Sequence, residues 1–134
     1  MRYSVFVHKD PDSSFGVIFP ELPGCFSAGD TLDEALANAG EALAMHVGGL
    51  EADGEEVPLP RPIEEIVGDP RFAEDREGAI IASVPLVRDL GSTTRINVSL
   101  DLGLLRAIDG EARRRKQTRS AFIASAVRRE IQEA

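Results

Sequence analysis

Apolar residues recur along this chain in two different rhythms, and the rhythms predict its elements. Tyr3, Val5 and Val7 alternate with Ser4, Phe6 and His8, which gives a first strand that is apolar on both sides. The stretch KDPDSSFG holds turn residues suited to a hairpin loop. Phe15 to Phe19 reads as a second strand closed by Pro20 and Pro23, and Cys25 to Ala28 as a short third. The period then lengthens. Leu32, Leu36, Ala39, Leu43, Val47 and Leu50 follow at spacings of three and four, the stripe of an amphipathic helix. Asp30 or Thr31 caps it, Asp33 and Glu34 occupy the first turn where the helix dipole favours acids, and Gly48, Gly49 and Gly54 mark its end. The Pro-rich VPLPRP from Val57 to Pro62 is a rigid connector, Ile63 to Val67 a short helix, and Ala79 to Val87 a last strand buried by its continuous apolar run. Alternation returns in TTRINVSL, with Thr94, Ile96, Val98 and Leu100 on one side and Arg95, Asn97 and Ser99 on the other. Two amphipathic helices complete the pattern, one carrying Leu102, Leu105, Ile108 and Ala112, the next Phe122, Ile123, Val127 and Ile131.

The strand in TTRINVSL stands apart because it has no neighbour in its own segment. A single strand cannot satisfy its backbone groups, and a unit this small buries little core alone. Two copies pairing this strand into an antiparallel ribbon solve both problems. Ile96, Val98 and Leu100 then form the ribbon core against four helices, while Arg95, Asn97 and Ser99 project outward. A two-stranded ribbon fits the DNA major groove, where Arg pairs bidentately with guanine and Asn with adenine. Thr118 is positioned to cap the second helix, which leaves the amides of Arg119 and Ser120 to hold a DNA phosphate. The segment resembles the ribbon-helix-helix modules of small bacterial DNA-binding dimers along its full length. It departs from that pattern at Lys116, where the helix–helix turn usually has glycine, and at Gly103, which weakens the first helix by about 1 kcal/mol relative to Ala.

Charge divides the chain just before this segment. Residues 1–91 hold 6 basic and 18 acidic side chains, and residues 92–134 hold 9 and 5, so nets of −12 and +4 compose the overall −8. The acidic pI near 4.7 would argue against nucleic acid as a partner. Binding responds to the local field, so the asymmetry is the better guide. Arg113, Arg114, Arg115 and Lys116 close one helix and Arg119 opens the next, a cluster suited to phosphate. The sequence has no apolar run of about 18 residues, the length from which a membrane-spanning helix would be expected. The N-terminus MRYSVFVHKD lacks a secretory signal, and the single cysteine suits a reducing cytoplasm.

The stretch FPELPGCFSAGDTLDEALANAGEALAMHVGGLEADGEEVPLPRP resembles the signature of the HicB antitoxin family. It has the aromatic-Pro-x-Leu-Pro-Gly-Cys turn, Gly-Asp-Thr before the helix, Glu-Ala-Leu repeats on it, and a closing Pro-x-Pro. The match covers roughly residues 3–87, and a ribbon-helix-helix tail is one of the two DNA-binding tails such proteins carry. The resemblance implies a partly RNase H-like domain that binds and blocks a small RNA-cleaving, HicA-like toxin. It also implies that the tail represses the operon encoding the pair.

An RNase H-like sheet raises nuclease chemistry, which needs carboxylates converging on Mg²⁺. Asp10, Asp12, Glu21 and Asp30 all read as turn or cap residues, and a domain of net −12 repels RNA while attracting a basic RNA-binding protein. His8, His46 and Cys25 have no ligand spacing and read as partly buried histidines with local hydrogen bonds and a small buried strand residue. The expectation is therefore a non-enzyme without metal or cofactor. Its fold class is α+β, with a βββαβ toxin-binding domain over residues 1–88 and a βαα ribbon-helix-helix module over residues 91–134. Its expected partners are a HicA-like toxin, operator DNA and further copies of itself, in at least a dimer, with a tetramer carrying two DNA-binding ends if the N-terminal domain also self-associates. The competing reading is a stand-alone ribbon-helix-helix regulator whose N-terminal domain senses a ligand or assembles oligomers.

Overall fold

The computed structural model describes residues 1–88 and 90–133, so Ala134 of the expected second module lies outside the described residues. The chain forms two compact units, Met1–Arg88 and Asp89–Ala134. In the first, β1 (Arg2–Lys9), β2 (Phe15–Ile18), β3 (Phe26–Gly29) and β4 (Ile80–Pro85) make an antiparallel sheet in the order β3-β2-β1-β4. Helix α1 (Leu32–Ala52) covers one face and buries Ala35, Ala39, Leu43 and Val47 against Tyr3, Val5, Val7 and Val17. Each large side chain buried this way contributes on the order of 1.5–3 kcal/mol. The alternate β1 residues Ser4 and Phe6 are also buried, because α2 (Ile63–Gly68), with its buried Ile66, lies against β1. That explains a strand apolar on both sides.

The start of α1 follows from local chemistry. Thr31 Oγ1 accepts from the Glu34 amide at 3.1 Å, satisfying one donor that the first turn leaves open, and the Glu34 carboxylate reaches back to accept from the Asp30 amide just before the helix at 3.3 Å. Gly29 then lets that turn sit directly on β3. A Cβ at Gly29 would lie 2.5 Å from the Ala35 nitrogen and 2.8 Å from its Cα, both backbone atoms that cannot swing aside. Gly29→Ala is therefore expected to destabilise the domain by about 1–3 kcal/mol. Thermal unfolding followed by circular dichroism measures this, and an unchanged midpoint would mean that α1 can back away from β3.

Several expectations are corrected. Gly48 and Gly49 lie inside α1, which runs on to Ala52 before Gly54 takes a φ of +70°. The third strand begins at Phe26, because Cys25 is held in the preceding loop: its amide donates to the Leu22 carbonyl and its carbonyl accepts from the Phe19 amide. β4 is shorter than expected and only half-buried, since it pairs with β1 at the edge of the sheet. His8 bonds over a long range, its Nε2 lying 2.6 Å from the Asp75 carbonyl oxygen. That carbonyl belongs to a short segment absent from the sequence reading, a 3-10 turn at Pro70–Phe72 and α3 (Ala73–Arg76).

In the second unit, α4 (Leu102–Arg114) is capped by Asp101, whose carboxylate accepts from the Leu104 amide at 3.0 Å. Helix α5 (Arg119–Glu133) follows a turn in which Lys116 takes a φ of +56°, a left-handed conformation in the position where glycine would be expected. The two helices pack around Ala112, with the Arg115 guanidinium 5.3 Å from the centre of the Phe122 ring. Residues 92–100 join no strand ladder among the described residues, so the strand expected there is not formed within one chain.

Candidate nucleic-acid interface

The second unit leaves its apolar row in water. Ile96 is 74%, Val98 65% and Leu100 40% exposed, and Leu102, Leu104, Val127 and Ile131 are exposed as well. A monomeric module does not ordinarily keep so many large apolar side chains open. Arg95, Asn97 and Ser99, interleaved with that row, are exposed too. Among the described residues, none of the three is paired with a carboxylate.

At the other end of the unit, Thr118 caps α5. Its hydroxyl accepts from the Ala121 amide at 3.1 Å and its carbonyl from the Phe122 amide at 3.0 Å. The amides of Arg119 and Ser120 precede the first helical hydrogen bond and have no acceptor among the described residues. The Arg119 side chain is held more firmly than its sequence position suggests. Its Nε and Nη2 each lie 2.8 Å from the Asp109 carboxylate, a bidentate fork that holds the Asp109 carboxyl below its ordinary range. The basic run is also partly paired, since Arg114 and Arg115 both lie against Glu111. Sequence reading missed both contacts, because Asp109 and Arg119 sit on different helices and the run of cations hid its acidic neighbour.

The first unit contains a second arrangement without a sequence signal. Glu21 is buried. Its Oε2 accepts from the Arg61 amide at 3.2 Å, while its Oε1 has no protein partner. Arg61 in turn reaches Asp69 at 2.9 Å, and Arg71 closes on the same carboxylate at 2.8 Å. The Arg71 and Arg61 hydrogen bonds hold Asp69 well below the usual carboxylate range. This chain of charges ties the Pro-x-Pro connector to the loop before β3, and the Tyr3 hydroxyl adds a 2.7 Å bond to the Pro58 carbonyl. Glu21 stands in the turn where the sequence places it, and its side chain also tethers that turn to the connector. Burial pushes the Cys25 thiol up to about 11, which leaves it a poor nucleophile at neutral pH. Among the described residues no group of three or more His, Cys, Asp or Glu side chains is placed to hold a metal ion, and no helix is long and apolar enough to cross a membrane.

Residues 3–127 match the family described as HicB_like antitoxin of bacterial toxin-antitoxin system. The chain belongs to this family. A protein of Haemophilus phage HP1, of 14.9 kDa and encoded in the rep-hol intergenic region, is 38% identical over 109 residues, which cover 81% of this chain and 80% of the relative. The antitoxin HicB of Burkholderia pseudomallei is 38% identical in its crystal structure, with a TM-score of 0.55 over 95% of this chain and 96% of that one. A chain of the HicA3 and HicB3 toxin-antitoxin complex is 34% identical, with a TM-score of 0.53 over 66% of this chain and 99% of that one. The four-stranded antiparallel sheet with its helices is thus the mixed α/β fold of HicB antitoxins. As a HicB-family chain, the protein is an antitoxin by family.

Proposed function

We propose that residues 1–88 bind and neutralise a HicA-like, mRNA-cleaving toxin, and that residues 91–134 pair with a second copy as a ribbon-helix-helix module that represses the operon encoding both proteins. The observation that carries the reading is the likeness to a chain of the HicA3 and HicB3 complex over 66% of this chain. The charge break supports the division of labour. An acidic unit of net −12 suits a basic toxin, and a tail of net +4 suits DNA. The exposed row Ile96, Val98 and Leu100 supports the ribbon, since a second copy would cover it and satisfy the open backbone of residues 94–100. Arg95, Asn97 and Ser99 then read base edges, while Thr118, Arg119 and Ser120 hold phosphate through the start of α5. The partly RNase H-like first domain contributes binding and no catalysis. Both activities belong to the cytoplasm, and self-association of the first unit would bring two DNA-binding ends into one tetramer.

Co-expression of each half with the HicA-like toxin tests this reading. Residues 1–88 should protect cells from the toxin and fail to shift operator DNA. Residues 91–134 should dimerise and bind DNA weakly without protecting. Protection by the tail alone, or by neither half nor the full chain, would remove the antitoxin reading and favour a stand-alone regulator.

A further inference from the structure

Two of the most exposed large apolar side chains of the first unit wall the same depression. Phe26 is 70% and Met45 79% exposed, and with Gly24, Cys25, Ala42 and His46 they line an open pocket of about 240 Å³ between α1 and the edge strand β3. The helix beside it is acidic: α1 contains no Lys or Arg, and Glu41 stands one helical turn before Met45 on the same face. Of its other carboxylates, Asp33 and Glu34 lie in the first turn and Glu51 is paired with Arg88 at 3.0 Å. We propose that this pocket is the toxin-docking site. A cationic protein places an apolar side chain between Phe26 and Met45, and its surrounding Lys and Arg residues meet the α1 carboxylates.

This rests on the antitoxin reading above and names the surface that serves it. Three features select the occupant. A second copy of the chain would bring two acidic α1 faces together, and their like charges oppose that pairing. An added β-strand is opposed at the edge itself, because Asn38 Nδ2 donates to the Ala28 carbonyl at 2.9 Å and occupies an outward acceptor of β3. A side chain entering the pocket meets neither obstacle. Met45 is flexible and polarizable and can adapt to its contour, while Phe26 offers a rigid ring as an anchor. An apolar centre ringed by charge is the arrangement in which a few residues carry most of an interface's affinity.

Isothermal titration of the full-length chain with the co-purified HicA-like toxin tests the site. Met45→Lys places a cation on an exposed helical position that tolerates it, and Phe26→Ser removes the ring. Each should weaken toxin binding at least ~10-fold with unchanged circular dichroism. Leu59→Lys, at an exposed apolar position outside the pocket, should bind as the unsubstituted chain does. If the unsubstituted chain binds and both pocket variants bind equally well, this surface is wrong and the antitoxin reading stands. Loss of self-association without loss of toxin affinity would assign the pocket to a second copy and overturn the proposal. No binding by the unsubstituted chain would remove the antitoxin reading itself, and the docking site with it.

Discussion

Ile96→Lys should dissolve the DNA-binding dimer and, with it, operator binding. The side chain is 74% exposed in the single chain, inside a row that also exposes Val98 and Leu100. Covering a side chain of this size contributes about 1.5–3 kcal/mol, and a two-fold ribbon covers it once in each copy, so the substitution removes about 3–6 kcal/mol. The new ammonium groups add desolvation and mutual repulsion across the ribbon. Dimerisation should weaken by more than ~100-fold, because every 1.4 kcal/mol is a factor of about ten. Sedimentation at micromolar concentration should show the full chain's assembly falling to half its mass, and a gel shift should show no stable operator complex. Protection from the toxin should survive, since the change lies in the second unit. An intact dimer with intact operator affinity would mean that residues 94–100 are not the interface.

The parts of this fold that could be read from the sequence are those fixed by short-range periodicity. The stripe from Leu32 to Leu50 predicts α1, and Asp30 or Thr31 before Asp33 and Glu34 predicts its cap, which Thr31 supplies, because hydrogen bonds three residues apart are written in adjacent letters. The doubly apolar alternation of β1 predicts cover on both faces, and α1 and α2 supply it. At Lys116 the resemblance to the ribbon-helix-helix pattern leaves either a left-handed residue or a reshaped turn, and the structure has the left-handed residue. What stayed hidden depends on partners far along the chain. Glu21 meets Arg61 across 40 residues and His8 meets Asp75 across 67, and no local pattern announces either. The 3-10 turn at Pro70–Phe72 has no apolar rhythm and is held by Asp69, whose Oδ1 accepts from the Arg71 amide at 2.9 Å. Edge position misled for β4, where a continuous apolar run suggested deep burial. For the candidate DNA site, residue types and alternation singled out Arg95, Asn97 and Ser99. The fork between Arg119 and Asp109 required the helices to be packed first.

Asn97→Ala and Arg95→Ala should each erase sequence choice at one position of the operator, whereas Arg119→Ala should weaken all DNA alike. A good bidentate contact to a base edge is worth about 1–3 kcal/mol against the wrong base. A symmetric dimer makes it in both half-sites, so each substitution should cost about 2–6 kcal/mol on the operator, or roughly 30-fold to more than 10⁴-fold. Affinity for unrelated DNA should change far less for Asn97→Ala, because an amide carries no charge to exchange for counterions. Arg119 differs in kind. Its guanidinium is already engaged by Asp109 at 2.8 Å, so only a donor left over from that fork, or the Arg119 amide at the start of α5, can reach a phosphate. Arg119→Ala removes the side-chain donor and keeps the amide, so loss of a guanidinium–phosphate contact should flatten the salt dependence of binding to operator and random DNA equally, by about one phosphate contact per subunit. Asp109→Asn separates the two roles of Arg119. Freed of its carboxylate, the guanidinium should bind phosphate more strongly and steepen the salt dependence. Titrations of operator and scrambled duplexes across a salt series measure all four variants together. Operator selectivity unchanged in Asn97→Ala would make the Arg95–Ser99 face a solvated one, and base readout would have to come from elsewhere in the second unit.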